Sequence, residues 1–374
     1  MRILHVYKDY YPVLGGIENH IKMLAEGLMQ RGYEVQVLVT NTGSKTMIEK
    51  INGVPVIKAG CPVRISGAPI SPGFYAWMRR LKPDITHLHF PNPSGELGQL
   101  FLGQSRKFVL TYHSDVVRQK YLLRLYTPFL WKVLAKADRI IATSPNYIRS
   151  SPYLSRFADK CVVIPLGIDL KPFETIDNDR VQTIRQRYGS PILLFVGKLR
   201  YYKGLQYLLE AMPKIEARLL VVGTGPMAKA WQALAEKLGL TDKVAFLGQV
   251  ADEELPLYYH ACDLFILPAS HRSEALGVVQ VEAMACGKPI VCTELGTGTS
   301  YINVHGETGL VVPPRDPGVL VEAINQLLAD EALWSGLGQR GRQRAKEFSK
   351  EAMVEKVVGL YEELLAAFDR TLFT

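Results

Sequence analysis

Short apolar runs alternate with helix-like stretches along this chain, and that alternation restricts it to an α/β architecture of doubly wound sheets. Residues 3–7, 34–39, 85–89, 108–112 and 139–142 read as strands of a first half. A helix expected over residues 20–31 puts Ile21, Leu24, Ala25 and Leu28 on one face, and Gly32 closes it. Residues 162–169 read as a strand running into Pro165 and Gly167. Strands near Ile192, Leu219, Val244, Leu264, Ile290 and Gly309 follow, and a last helix covers residues 352–368. A length of 374 residues suits two domains better than one, and 48% hydrophobic residues give each half a core. No internal repeat or low-complexity segment interrupts the pattern.

Five cysteines stand at 61, 161, 262, 286 and 292 with no close pair of metal-ligand spacing. That argues against a zinc site or a disulfide framework and for a reducing compartment. Met1-Arg2-Ile3-Leu4-His5-Val6 is strand-like without a long apolar run, so no signal peptide is expected. Nothing approaches the roughly 18 consecutive apolar residues of a spanning helix.

Charge is uneven. Residues 1–170 hold 22 Lys+Arg against 11 Asp+Glu, a net of +11, while the remainder carries −3. Much of the excess lies in Arg79-Arg80-Leu81-Lys82 and between Arg118 and Arg139. There Lys120, Arg124, Lys132 and Lys136 fall at multiples of four, interleaved with Tyr121, Tyr126, Phe129 and Trp131. Such a stretch fits a membrane-surface or acidic-ligand face, and equally a solvated face over a core stripe. Pro128 implies two helices or a kink. No nucleic-acid motif accompanies the charge, so nucleic acid is not expected as a partner.

Three places carry candidate chemistry. Glu274 and Glu282 lie eight positions apart with Gly277 between them, about 12 Å if helical throughout. A helix starting near Gly277 instead leaves Glu274 on the preceding loop and Glu282 on an early turn. The free N–H groups of Leu276, Gly277, Val278 and Val279 then lie between two carboxylates, which suits a phosphorylated sugar. On spacing alone, a solvated loop glutamate and an unrelated helix-surface glutamate is the plainer reading. The second place is the buried strand at residues 192–196, followed by Gly197-Lys198-Leu199-Arg200-Tyr201-Tyr202-Lys203-Gly204 and a helix over 205–212. Lys198 and Lys203 could clamp a diphosphate as mobile point charges. The third is the turn Gly223-Thr224-Gly225-Pro226 after another apolar run, where backbone can approach a nucleotide closely. Together the three outweigh the plainer reading.

His113 follows the fourth expected strand, on the edge where such sheets bind ligands, although a histidine at a strand end is more often structural. His87 and His89 share one face of a strand and read as packing or cleft wall, since no third ligand is apparent. No essential metal is expected.

In order, these motifs resemble the C-terminal half of the family-4 retaining glycosyltransferases. The resemblance continues through Gly287-Lys288-Pro289-Ile290-Val291 and Gly306-Glu307-Thr308-Gly309-Leu310-Val311-Val312-Pro313. At the other end, Pro12-Val13-Leu14-Gly15-Gly16-Ile17-Glu18 before an amphipathic helix resembles the family's first glycine loop. The resemblance implies the GT-B fold, with two Rossmann-like doubly wound domains facing across a cleft. Residues 1–168 would bind acceptor, 169–351 the nucleotide sugar, and 352–374 would return to the first domain.

It also implies roles. Lys198 and Lys203 hold the diphosphate, Glu282 the ribose and Glu274 the sugar hydroxyls, while His113 faces the donor sugar. The Gly15-Gly16 loop closes from the first domain, and the acceptor binds between the halves. The expected reaction moves a hexose of mannose or glucose type from a GDP- or UDP-sugar to a glycan or glycolipid hydroxyl, with retention and without a metal or cofactor. An epimerase of the same fold, a transferase acting on a small soluble acceptor, or a non-catalytic sugar-nucleotide sensor are the alternatives. The opening at Tyr7-Lys8-Asp9-Tyr10-Tyr11-Pro12 and the stretch Glu294-Leu295-Gly296-Thr297-Gly298-Thr299-Ser300 resemble bacterial surface-polysaccharide mannosyltransferases. With the basic first half, this leads to the expectation of a lipid-linked acceptor, a cytoplasmic location and contact with an anionic membrane face. Two positions depart from the family pattern: Lys198 stands where arginine is usual, and Leu276 where phenylalanine is common. Asp177-Asn178-Asp179 matches the metal signature of a different glycosyltransferase fold, but it precedes a charged helix and reads as a cap.

Overall fold

The computed structural model describes residues 1–13, 15–65, 68–115 and 120–372. Leu14 of the first glycine loop and Arg118 of the basic stretch lie outside them, as do the side chains of Lys120 and Tyr121. The chain divides into unit 1, Met1–Gly167 with the segment from Lys350 onward, and unit 2, Ile168–Ser349.

Unit 1 holds an eight-stranded sheet in the order β10-β9-β8-β7-β1-β2-β4-β3. Its strands are β1 (Arg2–Val6), β2 (Glu34–Thr40), β3 (Met47–Ile51), β4 (Val54–Ala59), β7 (Ile85–Phe90), β8 (Lys107–Tyr112), β9 (Arg139–Ala142) and β10 (Cys161–Val163). The hairpin of β5 (Val63–Ile65) and β6 (Ala68–Ile70) stands apart. All five expected strands form and pair in parallel. The antiparallel edge pair β3/β4 was not anticipated. Its Asn52-Gly53 turn, with φ of +50° and +86°, is a hairpin signal that Pro55 and the flanking lysines obscure.

The first helix, Gly16–Gln30, starts four residues before its expected position and buries Ile21, Leu24, Ala25 and Leu28. Those side chains share a core with Met353, Val354, Val357, Leu360, Tyr361 and Leu364 of the last helix, Lys350–Leu372. The basic stretch forms one helix, Lys120–Lys136, with Pro128 inside it, so the two separate helices that were one of the expectations do not form. Its second half buries Leu130, Val133 and Leu134, and this packing offsets the one backbone bond that proline removes.

Against that helix lies Glu96, fully buried, accepting from Tyr126 Oη at 2.5 Å and from the Asn92 N–H at 2.6 Å. Burial raises its carboxyl from 4.5 to about 7, against the lowering effect of both hydrogen bonds. Between those two values the folded protein keeps a proton that the unfolded chain has lost. The contribution of Glu96 to stability is therefore greatest below about pH 4.5, falls by about 3 kcal/mol up to pH 7, and stays level above. The difference in unfolding free energy between the natural protein and Glu96→Gln, measured by chemical denaturation at pH 5 and at pH 7.5, should show this loss, with the natural protein comparatively less stable at pH 7.5.

Unit 2 is a six-stranded parallel sheet in the order β13-β12-β11-β14-β15-β16. The strands are β11 (Ile192–Val196), β12 (Arg218–Val222), β13 (Val244–Gly248), β14 (Leu264–Leu267), β15 (Ile290–Thr293) and β16 (Gly309–Val312), each at its expected place. β11 is buried at every position because helices cover both faces of a parallel sheet. Asp177 accepts from the Arg180 N–H at 3.1 Å and caps the helix Asn178–Tyr188, the role expected for it.

Candidate active site

In unit 2 the strand order reverses between β11 and β14, and ligands of open parallel sheets bind in the crevice beyond such a reversal. The loops following β11, β12 and β14 meet there. Gly197 N–H donates to Val222 O at 3.0 Å and Leu199 N–H to Thr224 O at 2.8 Å, so the loop after β12 holds the loop after β11. A side chain on Gly223, whose φ is +127°, would fall on Gly197 O, and one on Gly225 would meet the Leu199 backbone. These two glycines therefore serve loop-against-loop packing, a need for glycine that the sequence reading did not include. Ser270 N–H donates to Tyr202 O at 2.8 Å and joins the third loop to the first.

Lys203 sits on a 3-10 turn, Tyr201–Lys203, just before the helix Leu205–Ala211. Its ammonium lies 2.7 Å from Glu274 Oε2, with both side chains only 10% exposed. Beyond this ion pair, Glu274 Oε2 accepts no hydrogen bond among the described residues and keeps an acceptor position open. The spacing did not reveal this ion pair, because the partners come from loops after different strands. Lys198 is exposed while Lys203 is buried, so the two lysines do not present equivalent charges.

Glu274 is held through its backbone. Its N–H donates to His271 O at 3.0 Å, and Thr297 Oγ1 donates to Glu274 O at 2.8 Å. Gly298 N–H donates to Ala275 O at 2.7 Å. Gly277, at φ +76°, turns the chain into the helix Val279–Ala285. Glu274 thus precedes the helix and Glu282 lies in its first turn, as the glycine implied. The N–H groups of Leu276, Gly277 and Val278 meet no acceptor among the described residues. Glu282 accepts from Tyr259 Oη at 2.6 Å, and the same hydroxyl lies 3.3 Å from Val279 O. Burial raises the Glu282 carboxyl, opposed by the Tyr259 hydrogen bond and by the charge of Lys203. Tyr259 and Thr297 escaped the sequence reading because each acts from a separate element with no motif of its own.

Unit 1 carries Gly15, Gly16 and His113. Gly15 precedes the first helix with extended backbone, its carbonyl accepting from Asn19 N–H at 3.0 Å. A side chain on Gly15 would collide with the Glu18 carboxylate, whereas one on Gly16 would meet nothing within 4 Å among the described residues. His113 is buried just beyond β8, with Nε2 3.1 Å from His89 Nδ1.

His87 and His89 do have further histidines beside them, contrary to the expectation. His5 is the register partner of His87 on β1, and His20 reaches in from the first helix. His5, His87 and His89 bring ring nitrogens within 4.8 Å of one another, as do His20, His89 and His113. Either set has donors a borderline metal accepts. Burial lowers His5 to about 3 and His20 to about 4, and holds His87, His89 and His113 well below the usual imidazole range. All five rings are therefore neutral near pH 7.

Two units, each a largely parallel α/β sheet and one with a charged, amide-lined crevice at its strand reversal, define a two-domain nucleotide-binding class. The family models agree, with Glycosyltransferase Family 4 matching residues 14–172 and Glycosyl transferases group 1 matching 178–344. The chain belongs to the family-4 glycosyltransferases, enzymes of the GT-B fold. It is 37% identical to the O-antigen chain mannosyltransferase C of Escherichia coli over 98% of this chain and 99% of that one. It is 36% identical to the D-rhamnosyltransferase WbpZ of Pseudomonas aeruginosa over 93% of this chain and 92% of its relative. A sucrose-phosphate synthase from Thermosynechococcus elongatus superposes with a TM-score of 0.80 at 26% identity, covering 98% of this chain and 99% of that one.

Proposed function

We propose that this glycosyltransferase moves a mannose- or glucose-type hexose from a GDP- or UDP-linked donor to a hydroxyl of a lipid-linked surface glycan, with retention at the anomeric carbon. The observation that carries the reading is the unfilled row of amides at Leu276, Gly277 and Val278 beside the Lys203–Glu274 pair. Amides at a helix entrance and a nearby ammonium suit a diphosphate. A carboxylate with an open acceptor suits sugar hydroxyls. Glu282, steadied by Tyr259, would take the ribose hydroxyls. The ammonium of Lys203 can keep its Glu274 contact and still point other N–H groups at the leaving phosphate. Positioning and neutralisation of leaving-group charge then carry catalysis, and no metal is assigned a role.

The mannosyl and rhamnosyl names of the two relatives favour a mannose-type donor and a polysaccharide product. Calorimetric titration with GDP-mannose, UDP-glucose and UDP-N-acetylglucosamine tests the reading. One donor should bind and the others should not. If none binds, the donor site is misassigned. Free sugar or a C2-inverted product formed without acceptor would favour the epimerase.

The acceptor reading extends to the membrane face. No helix among the described residues is long and apolar enough to cross a membrane. On the helix Lys120–Lys136, however, Leu125 is 77% exposed, with Arg124, Phe129 and Lys132 also at the surface. Apolar side chains flanked by cations fit an anionic lipid surface. Replacing Leu125 and Phe129 by glutamate should weaken binding to phosphatidylserine-containing vesicles by more than about tenfold, measured by co-sedimentation. Equal binding of both proteins would remove this contact from the proposal.

A further inference from the structure

His113 heads a row of rings, and it is the one ring of the row to which the reaction described above gives a place. His89 Nδ1 lies 3.1 Å from His113 Nε2, and His89 Nε2 lies 3.2 Å from His5 Nδ1. His113 Nδ1 at one end and His5 Nε2 at the other are buried and meet no hydrogen-bond partner among the described residues. His20 packs edge-on against both His89 and His113, at centroid distances of 5.6 and 5.2 Å. His87 stands outside the row, bonded to Tyr361 Oη and Thr111 Oγ1.

We propose that His5 and His89 are positioning residues that set, through one continuous imidazole chain, which ring nitrogen of His113 carries its proton. A neutral imidazole has one N–H and one bare nitrogen, and each ring-to-ring bond needs one of each. The direction of the first bond therefore dictates the second. Only two arrangements satisfy both bonds. In one, all three rings are protonated on Nδ1, and His113 offers an N–H donor at its free end. In the other, all three are protonated on Nε2, and His113 offers a bare acceptor. Passing from the first to the second releases a proton from His113 Nδ1 and takes one up at His5 Nε2, both exchanged with water. The number of protons on the chain does not change. A hydroxyl meeting His113 Nδ1 as acceptor or as donor selects between the two arrangements, and the choice is registered two residues away on β1. The link to the reaction rests on the reading that His113 faces the donor sugar; the coupling of the tautomers does not.

Long-range 15N–1H spectra of the full chain near pH 7.5 separate protonated from bare ring nitrogens. The expected result is the same protonated nitrogen on His5, His89 and His113. Any mixture among the three overturns the proposal, because two N–H groups or two lone pairs would then face each other. His5→Phe keeps a ring in place and removes the chain's end, so His113 should lose its single tautomer, whereas His87→Phe should leave it unchanged. If His5→Phe fails to fold, the spectrum of the natural protein still decides. Stoichiometric zinc on the purified protein, bound by His20, His89 and His113, would also overturn the proposal by occupying the same lone pairs. With donor and acceptor present, His5→Phe should lower kcat by about 10- to 100-fold while the donor KM stays within twofold. A disturbed His113 tautomer with unchanged kcat would keep the chain and remove His113 from the reaction.

Discussion

Lys203→Ala should lower kcat/KM by about 1,000-fold and abolish measurable donor binding. Two losses coincide. The ammonium no longer meets the phosphate that leaves, and Glu274 is left as a buried carboxylate without its cation, 2.7 Å from where the charge had been. Breaking a buried pair from one side costs about 3 kcal/mol of stability. The double variant Lys203→Ala/Glu274→Gln should recover most of that stability and none of the activity. Thermal unfolding and initial rates on the same preparations separate the two effects. Donor affinity indifferent to Lys203 would exclude it from the phosphate site.

Gly223→Ala should destabilise unit 2 by about 3 kcal/mol or more, and lower its unfolding temperature by roughly 10 °C. The backbone there has φ +127°, and the added methyl falls on Gly197 O, a backbone atom that cannot turn aside. Relief requires the loop carrying Lys198 and Lys203 to move, so donor affinity should fall as well. Gly16→Ala provides the contrast. Its methyl meets nothing within 4 Å among the described residues, so the unfolding temperature should hold. Lost activity at unchanged stability would then mark the Gly15-Gly16 loop as a ligand contact. Differential scanning calorimetry with donor titration distinguishes the two variants.

The second unit was legible nearly strand by strand. Each of its strands is a short apolar run bounded by a glycine, a proline or a charged residue, and burial on both faces of the inner strands leaves no polar alternation to misread. In the first unit β3 and β4 were lost, because an edge pair with one solvated face carries lysines, a glutamate and Pro55 among its apolar residues. Two helices, one of the outcomes expected of Pro128, did not form, since the burial of Leu130, Val133 and Leu134 that holds the helix together is a property of the core it meets.

Within the site, what lies on one local segment was readable. Gly277 ends the loop that carries Glu274 and begins the helix that carries Glu282, because a glycine at positive φ makes that turn. The residues expected at the site belong to a chain whose family membership is secure, and the order of its motifs sufficed to reveal the family. Contacts made across strands were not readable. The Lys203–Glu274 pair, the Tyr259 hydroxyl on Glu282 and the seating of Gly223 against Gly197 each join segments far apart in the chain. The clearest case is the row of histidines. His5 and His89 come within reach because β1 and β7 pair in parallel, and His113 joins them only because β8 ends beside β7. Residue type and local spacing determined the elements, their order and the family. Strand register, which brings together side chains more than eighty positions apart, decided which groups share a proton, a charge or a ligand.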